Sequence, residues 1–125
     1  MDKKLKDSLS KIKLLICDID GVLTDGSFIK STSGEELRSF NALDGVGFVV
    51  LRLLDLNVKT AWITGRESLT TTQRAEELQI DDVYNGVIRK IDAYIELKKK
   101  YGLSDSEVCF ICLLYTSDAA DERNS

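Results

Sequence analysis

The chain has 125 residues, of which 43% are hydrophobic and 30% are charged, a composition typical of one small globular domain. Its net charge of -4 gives no basic surface for nucleic acid, and no apolar run in the sequence is long enough to span a membrane. The absence of histidine excludes Ser-His-Asp and Cys-His catalysis, so any nucleophile must be a carboxylate, a thiol or a hydroxyl. A cytoplasmic location is the default expectation, since the sequence shows no signal-peptide pattern.

Alternating β-prone and helical segments predict an α/β fold with a parallel sheet and right-handed crossovers. The predicted strands cover residues 13–17, 58–63, 82–85 and 108–111, with a β-hairpin formed by residues 27–30 and 37–40. The predicted helices cover residues 46–56, 67–79 and 88–101, after a short helix or arm over residues 1–11. Two of these helices are predicted to be amphipathic, with apolar faces formed by Val46, Val49, Val50, Leu53 and Leu54, and by Ile88, Ile91, Tyr94 and Ile95.

An acidic pair, Asp18 and Asp20, follows the first strand and precedes Gly21. Because alternate residues of an extended chain point the same way, both carboxylates can face the crevice at the carboxyl edge of the sheet. Their mutual repulsion calls for a cation, and carboxylate and backbone oxygens are ligands that Mg²⁺ prefers. The sequence therefore predicts a magnesium site at this edge.

Further polar residues follow a later strand and begin a later helix. Thr64, Gly65 and Arg66 close the strand at 58–63, and Lys90 lies at the start of a helix. With the acidic pair, this order resembles the first three motifs of the haloacid dehalogenase (HAD) superfamily of phosphatases.

The segments 34–45 and 63–67 resemble, more closely, a subgroup of that superfamily without a cap domain, and the likeness extends from about residue 11 to residue 111. This subgroup hydrolyses phosphorylated sugar acids for lipopolysaccharide assembly. The resemblance implies a Rossmann-like three-layer fold with a hairpin after the first strand. It also implies a homotetramer whose small-molecule substrate is a phosphorylated sugar acid.

The resemblance also assigns roles to individual residues. Asp18 would attack phosphorus to form an aspartyl-phosphate, and Asp20 would act as general acid and then general base. Both would bind Mg²⁺, while Thr64 would bind the phosphoryl oxygens and Lys90 would hold Asp18 and the phosphate together. The other candidate contacts to phosphate or substrate are Gly65, Arg66, Asn41 and Asp44.

Some of these residues have a plain structural interpretation as well. Lys90 could be a solvated helix lysine, and Thr64 could cap a turn at the end of a strand. Asp44 could be the cap of the helix that follows it. These interpretations remain open at the level of sequence.

One departure from the family concerns the end of the chain. The resembled family has an acidic pair after the next strand, which supplies the remaining metal ligand, whereas here Cys112 and Leu113 follow the strand at 108–111. We therefore expect residues 1–111 to be a truncated phosphatase domain, lacking the C-terminal part of the sheet and the third metal ligand. Residues 112–125 are expected to be a non-native tail. Weak Mg²⁺ binding and weak activity would follow.

Two other functional classes also fit an α/β domain of this size. One is a phosphoacceptor receiver domain, but the strands that end at Thr64 and Asn85 lack the aspartate it needs. The other is a non-catalytic oligomerisation domain of the kind attached to some sugar-acid nucleotidyltransferases.

Overall fold

A computed structural model describes residues 1–113. In chain order the elements are α1 (Lys3–Ser10), β1 (Leu14–Asp18), β2 (Ile29–Lys30), β3 (Glu36–Leu37), α2 (Ala42–Leu53), β4 (Lys59–Ile63), α3 (Leu69–Leu78), β5 (Asp82–Tyr84), α4 (Lys90–Tyr101) and β6 (Val108–Ile111). Strands β1, β4, β5 and β6 form a parallel sheet in the order β5-β4-β1-β6, and β2 pairs with β3 in a separate antiparallel hairpin. The predicted α/β fold is confirmed, with boundaries that differ by a few residues.

The two faces of the sheet carry separate hydrophobic clusters. On one face Trp62 stacks with Phe40 at a centroid distance of 6.0 Å and meets Phe48 edge-on at 5.7 Å, which places α2 and α3 on this side. On the other face Ile16 belongs to the cluster that contains Leu97 of α4. Because β1 contributes to both clusters, it is covered on both faces, as expected for a central parallel strand.

The prediction that isoleucines form the apolar, buried face of α4 is wrong. Ile88, Ile91 and Ile95 are 97%, 49% and 54% exposed, whereas Ala93 and Leu97 are buried. Since residues four apart share one helix face, Ala93 and Leu97 together form the contact with the sheet. A small residue beside a leucine lets the helix approach closely, and the isoleucines lie outside this contact.

Helix α2 departs from its prediction in the same way. It begins at Ala42 with Asn41 as its N-cap, and its buried residues are Gly45 and Phe48. A Cβ atom at Gly45 would lie 2.5 Å from Nη2 of Arg74 and 3.5 Å from Cδ2 of Leu78, so this residue of α2 faces α3. The exposed apolar residues of the helix include Leu43, Val46, Val50 and Leu53.

The described residues end shortly after β6. The expectation that residues 112–125 are a non-native tail therefore falls mainly on residues 114–125, which lie outside the described part of the chain. Within residues 1–113, no helix is both long enough and apolar enough to cross a membrane.

The two faces of α4 should respond differently to truncation. Leu97→Ala removes a side chain with no exposure and should lower the free energy of unfolding by about 2–5 kcal/mol. Ile95→Ala, two residues away on the exposed side, should change it by no more than about 0.5 kcal/mol. Denaturant unfolding of both variants measures this difference, and equal losses would contradict the packing described for α4.

Candidate active site

Asp18 lies at the carboxyl end of β1, and its carboxylate is buried. The Lys90 ammonium donates to its Oδ2 atom at 2.9 Å, and the Leu113 N–H donates to the same oxygen at 3.2 Å. Its Oδ1 atom is also buried and has no hydrogen-bond partner within residues 1–113. A buried carboxylate oxygen without a partner is costly, so Oδ1 is the atom at which a cation or an electrophile would be bound most favourably.

Asp20 is held from two sides. Its Oδ1 atom accepts from Nε of Arg38 at 3.0 Å, and its Oδ2 atom accepts from the Thr64 hydroxyl at 3.2 Å. The Arg38 side chain is fully buried, whereas the Asp20 side chain is 27% exposed. The carboxylate is therefore fixed by a buried cation while one side of it reaches solvent.

The loop between the two carboxylates and the hairpin is a compact turn. The Ile19 carbonyl accepts from the N–H groups of residues 22, 23 and 24, and the Thr24 hydroxyl accepts from the Gly21 and Gly26 N–H groups. Gly21 has a φ of +87°, and a Cβ atom there would lie 2.7 Å from Cδ2 of Leu113. Both the backbone conformation and the space available therefore require glycine after Asp20.

Thr64 reaches the site because β4 lies beside β1. Asp18 pairs with Ile63 in the parallel register, so the next residue, Thr64, emerges next to the acidic loop. The Thr64 N–H donates to the Tyr84 carbonyl at 2.9 Å, which anchors the backbone. Its hydroxyl also accepts from the Arg66 N–H at 3.2 Å, so the turn after β4 is fixed around this side chain.

Arg66 connects this turn to the hairpin. Its guanidinium donates to Glu36 through Nη2 at 2.8 Å and through Nε at 3.3 Å, and it lies 4.0 Å above the centroid of the Phe28 ring. This hydrogen bond lowers the pKa of Glu36 and raises that of Arg66. Glu36 also accepts from Nη1 of Arg38 at 3.3 Å. One carboxylate therefore bridges two arginines over the acidic loop.

Four predicted site residues, Asp18, Asp20, Thr64 and Lys90, come together in this way. Asn41 and Asp44 do not join them through any hydrogen bond or ion pair within residues 1–113. The Asn41 side chain accepts from the Leu43 N–H as the cap of α2, and Asp44 lies in the first turn of that helix. The interpretation of Asp44 as the helix cap is therefore wrong.

Asn41 and Asp44 line an open cavity of about 460 Å³ beside the acidic loop.

No role was predicted from the sequence for Arg38, Glu36 or Phe28. The charged residues within 35–38 are visible in the sequence, but they do not show which part of the molecule the hairpin contacts.

Cys17 is the other possible nucleophile beside Asp18. Burial raises the pKa of its thiol to about 12, and the neighbouring Cys109 and Asp18 add to the effect. A thiol with such a pKa stays protonated at neutral pH and is a poor nucleophile. Of these two residues, only Asp18 is therefore a suitable nucleophile.

The donor set also suits a hard divalent cation. Among the described residues, no group of three or more acidic, cysteine or histidine side chains could hold a metal ion. Asp18 and Asp20 nevertheless offer carboxylate oxygens at the same edge of the sheet, and the Asp20 side chain is partly exposed. Mg²⁺ commonly takes one or two carboxylates and retains several waters, so the residues present fit it.

Comparisons with known proteins agree on one family. The chain is 40% identical over 102 residues to the 3-deoxy-D-manno-octulosonate 8-phosphate (KDO 8-phosphate) phosphatase of Yersinia pestis, covering 82% of this chain and 54% of that protein. It thus spans about half the length of the curated relatives it matches. No protein-family model matches the chain.

Solved structures give the same result. A Vibrio cholerae protein provisionally named as a KDO 8-phosphate phosphatase matches with a TM-score of 0.84 and 32% identity, over 98% of this chain and 68% of that chain. The enzyme of Moraxella catarrhalis, in complex with magnesium, phosphate and KDO, matches with a TM-score of 0.80 and 33% identity, over 88% of this chain and 62% of that chain. Likeness of this extent in sequence and fold confirms the predicted family: the chain belongs to the KDO 8-phosphate phosphatases of the HAD superfamily.

Proposed function

We propose that this chain carries the phosphate-transfer site of a Mg²⁺-dependent phosphomonoesterase, which converts KDO 8-phosphate to KDO and phosphate. The observation that carries the proposal is the asymmetry of Asp18: Oδ2 is held by Lys90, while the buried Oδ1 has no partner within residues 1–113. An oxygen that is desolvated, fixed in position and unpartnered is suited to attack phosphorus. The names of the relatives supply the substrate.

In the first step, Oδ1 of Asp18 forms a bond to phosphorus while the bond from phosphorus to the ester oxygen breaks. The Lys90 ammonium lies against the same carboxylate and compensates the charge that Asp18 and the phosphoryl group bring together. The Thr64 hydroxyl, at the end of β4, is placed to donate to a phosphoryl oxygen once it leaves Asp20. Dividing hydrolysis into two steps lets water attack the aspartyl-phosphate afterwards.

Asp20 handles the protons in both steps. It gives a proton to the departing ester oxygen and later removes a proton from the attacking water. Its 27% exposure leaves the carboxylate accessible from the side where a substrate would enter. The contact with Arg38 keeps it in place throughout.

Magnesium is the cofactor that we assign to Asp18 and Asp20, and the magnesium in the Moraxella catarrhalis complex supports this choice. When bound, the ion would neutralise charge on the phosphoryl oxygens. Asp18 and Asp20 would supply two carboxylates for it, a number that Mg²⁺ commonly takes in proteins.

We assign the acid group of the substrate to Arg66. Its side chain is 43% exposed, and a guanidinium is well suited to bind a carboxylate. We also propose a homo-oligomer, a tetramer as in the resembled family. The exposed hairpin and the exposed apolar residues of α2 would contribute to its interfaces.

The two other functional classes are not favoured by the comparisons. The relatives from Yersinia pestis and Moraxella catarrhalis are both named as phosphatases, which favours the phosphatase class. The ion pair of Asp18 with Lys90 and the unpartnered Oδ1 atom of Asp18 within residues 1–113 support the phosphatase class over a purely structural domain.

Replacement of the proposed nucleophile tests the proposal. Asp18→Asn should lower Mg²⁺-dependent release of phosphate from KDO 8-phosphate by about 10³-fold or more, because only positioning and electrostatics remain. Asp25→Asn is the matched control on the same loop: this exposed carboxylate accepts from the Ser27 N–H and hydroxyl, away from Asp18, so the rate should stay within about twofold. An Asp18→Asn variant as active as the control would contradict the proposal.

Metal binding can be tested without turnover. Mg²⁺ should raise the free energy of unfolding, by about 1.4 kcal/mol at ten times its dissociation constant, and Asp18→Asn should abolish this gain. Thermal unfolding in MgCl₂, against NaCl of equal ionic strength, measures the difference. A gain of the same size in Asp18→Asn would show that the ion binds elsewhere.

A further inference from the structure

Arg38 is a buried cation, and the proposed mechanism uses it only as a hydrogen-bond partner of Asp20. It follows β3, its side chain has no exposure, and its guanidinium lies between Asp20 and Glu36. Buried arginines are costly unless each N–H finds an acceptor. The role of Arg38 can therefore be inferred from which of its nitrogens have an acceptor.

The three nitrogens of this guanidinium are used unequally. Nε donates to Oδ1 of Asp20 at 3.0 Å, and Nη1 donates to Glu36 at 3.3 Å. Nη2 is buried and has no hydrogen-bond partner within residues 1–113. Since Nε and Nη2 share one edge of the planar group, the edge that binds Asp20 carries a second, unused donor.

We propose that Arg38 is a positioning residue that aligns Asp20 for proton transfer to the departing ester oxygen. This inference rests on the proposed phosphatase function. As the ester bond breaks, its electron pair takes the proton from Asp20. The buried Nε of Arg38, 3.0 Å from Oδ1, fixes the carboxyl group in one orientation for this transfer.

The chemistry of the guanidinium fits this role. Arginine remains charged at all accessible pH values, so Arg38 does not compete with Asp20 as a proton donor. Thr64 holds the other carboxylate oxygen before the substrate binds, and Arg38 remains the contact that fixes the carboxyl group once the Thr64 hydroxyl turns to the phosphoryl group.

The nature of the leaving group distinguishes this role from a structural one. An alkyl phosphate such as KDO 8-phosphate must have its leaving oxygen protonated, whereas p-nitrophenyl phosphate releases a stable phenolate without help. Arg38→Met should therefore lower kcat/KM by about 10²-fold on the alkyl ester, at the lower end of a general-acid contribution, and by less than about tenfold on the aryl ester. The value of kcat/KM reports the steps up to aspartyl-phosphate formation, so the later attack of water does not enter.

Two further variants complete the experiment. Arg74→Met removes an arginine that pairs with Glu77 on α3, outside the site, and both substrates should keep their kcat/KM values. Arg38→Lys keeps the charge but loses the planar fork, and it should show the same selective loss to a smaller degree. If Arg38→Met does not fold by circular dichroism, Arg38→Lys decides the outcome.

The possible results separate the two proposals. A larger loss on the alkyl ester supports the role of Arg38, and equal losses on the two esters would overturn it while leaving the phosphatase proposal intact. Lack of turnover of either ester by the unmodified chain, with Mg²⁺ present, would overturn the phosphatase proposal and this inference with it.

Discussion

The structure depends on keeping one charged carboxylate, that of Asp18, at the end of a strand that is covered on both faces. Burying an ion without a partner would cost far more than this small domain gains from any single contact. The Lys90 ammonium lies 2.9 Å from Oδ2 of Asp18 and compensates its charge. Lys90 is 72 positions later in the chain. Its position follows from the docking of α4, which in turn rests on the contact of Ala93 and Leu97 with the sheet. Core packing and site geometry are therefore linked through a single helix.

A second network ties the hairpin to the sheet. Strands of two residues each are too short to be stable alone. Glu36 binds Arg38 and Arg66, and the Thr70 hydroxyl donates to the Glu36 carbonyl at 3.1 Å. The same contacts bring Arg38 against Asp20, so the interactions that hold the hairpin in place also position the proposed acid. Substitutions in the hairpin should therefore change the catalytic rate as well as the free energy of unfolding.

The sequence predicts the parts of the site that follow from the order of elements. Asp18 and Thr64 each lie where a strand meets the carboxyl edge of the sheet, so the α/β alternation alone brings them close. Side-chain spacing is less informative for the helices, because Gly45 and Phe48 of α2 and Ala93 and Leu97 of α4 make the buried contacts, while several other apolar residues of these helices are exposed. The contact between Arg38 and Asp20 could not be predicted, since it depends on how the hairpin folds over the sheet.

The central claim is that Asp18 carries the phosphoryl group, and direct trapping of that group tests it best. The chain would be mixed with p-nitrophenyl phosphate and Mg²⁺, quenched rapidly in acid and mapped by peptide mass spectrometry. Asp20→Asn would be included because the loss of the base for water should let the intermediate accumulate. The account predicts one phosphoryl group on Asp18, removed by hydroxylamine and absent from Asp18→Asn. Release of p-nitrophenol in step with phosphate, and no phosphoryl group on Asp18 in either chain, would contradict it.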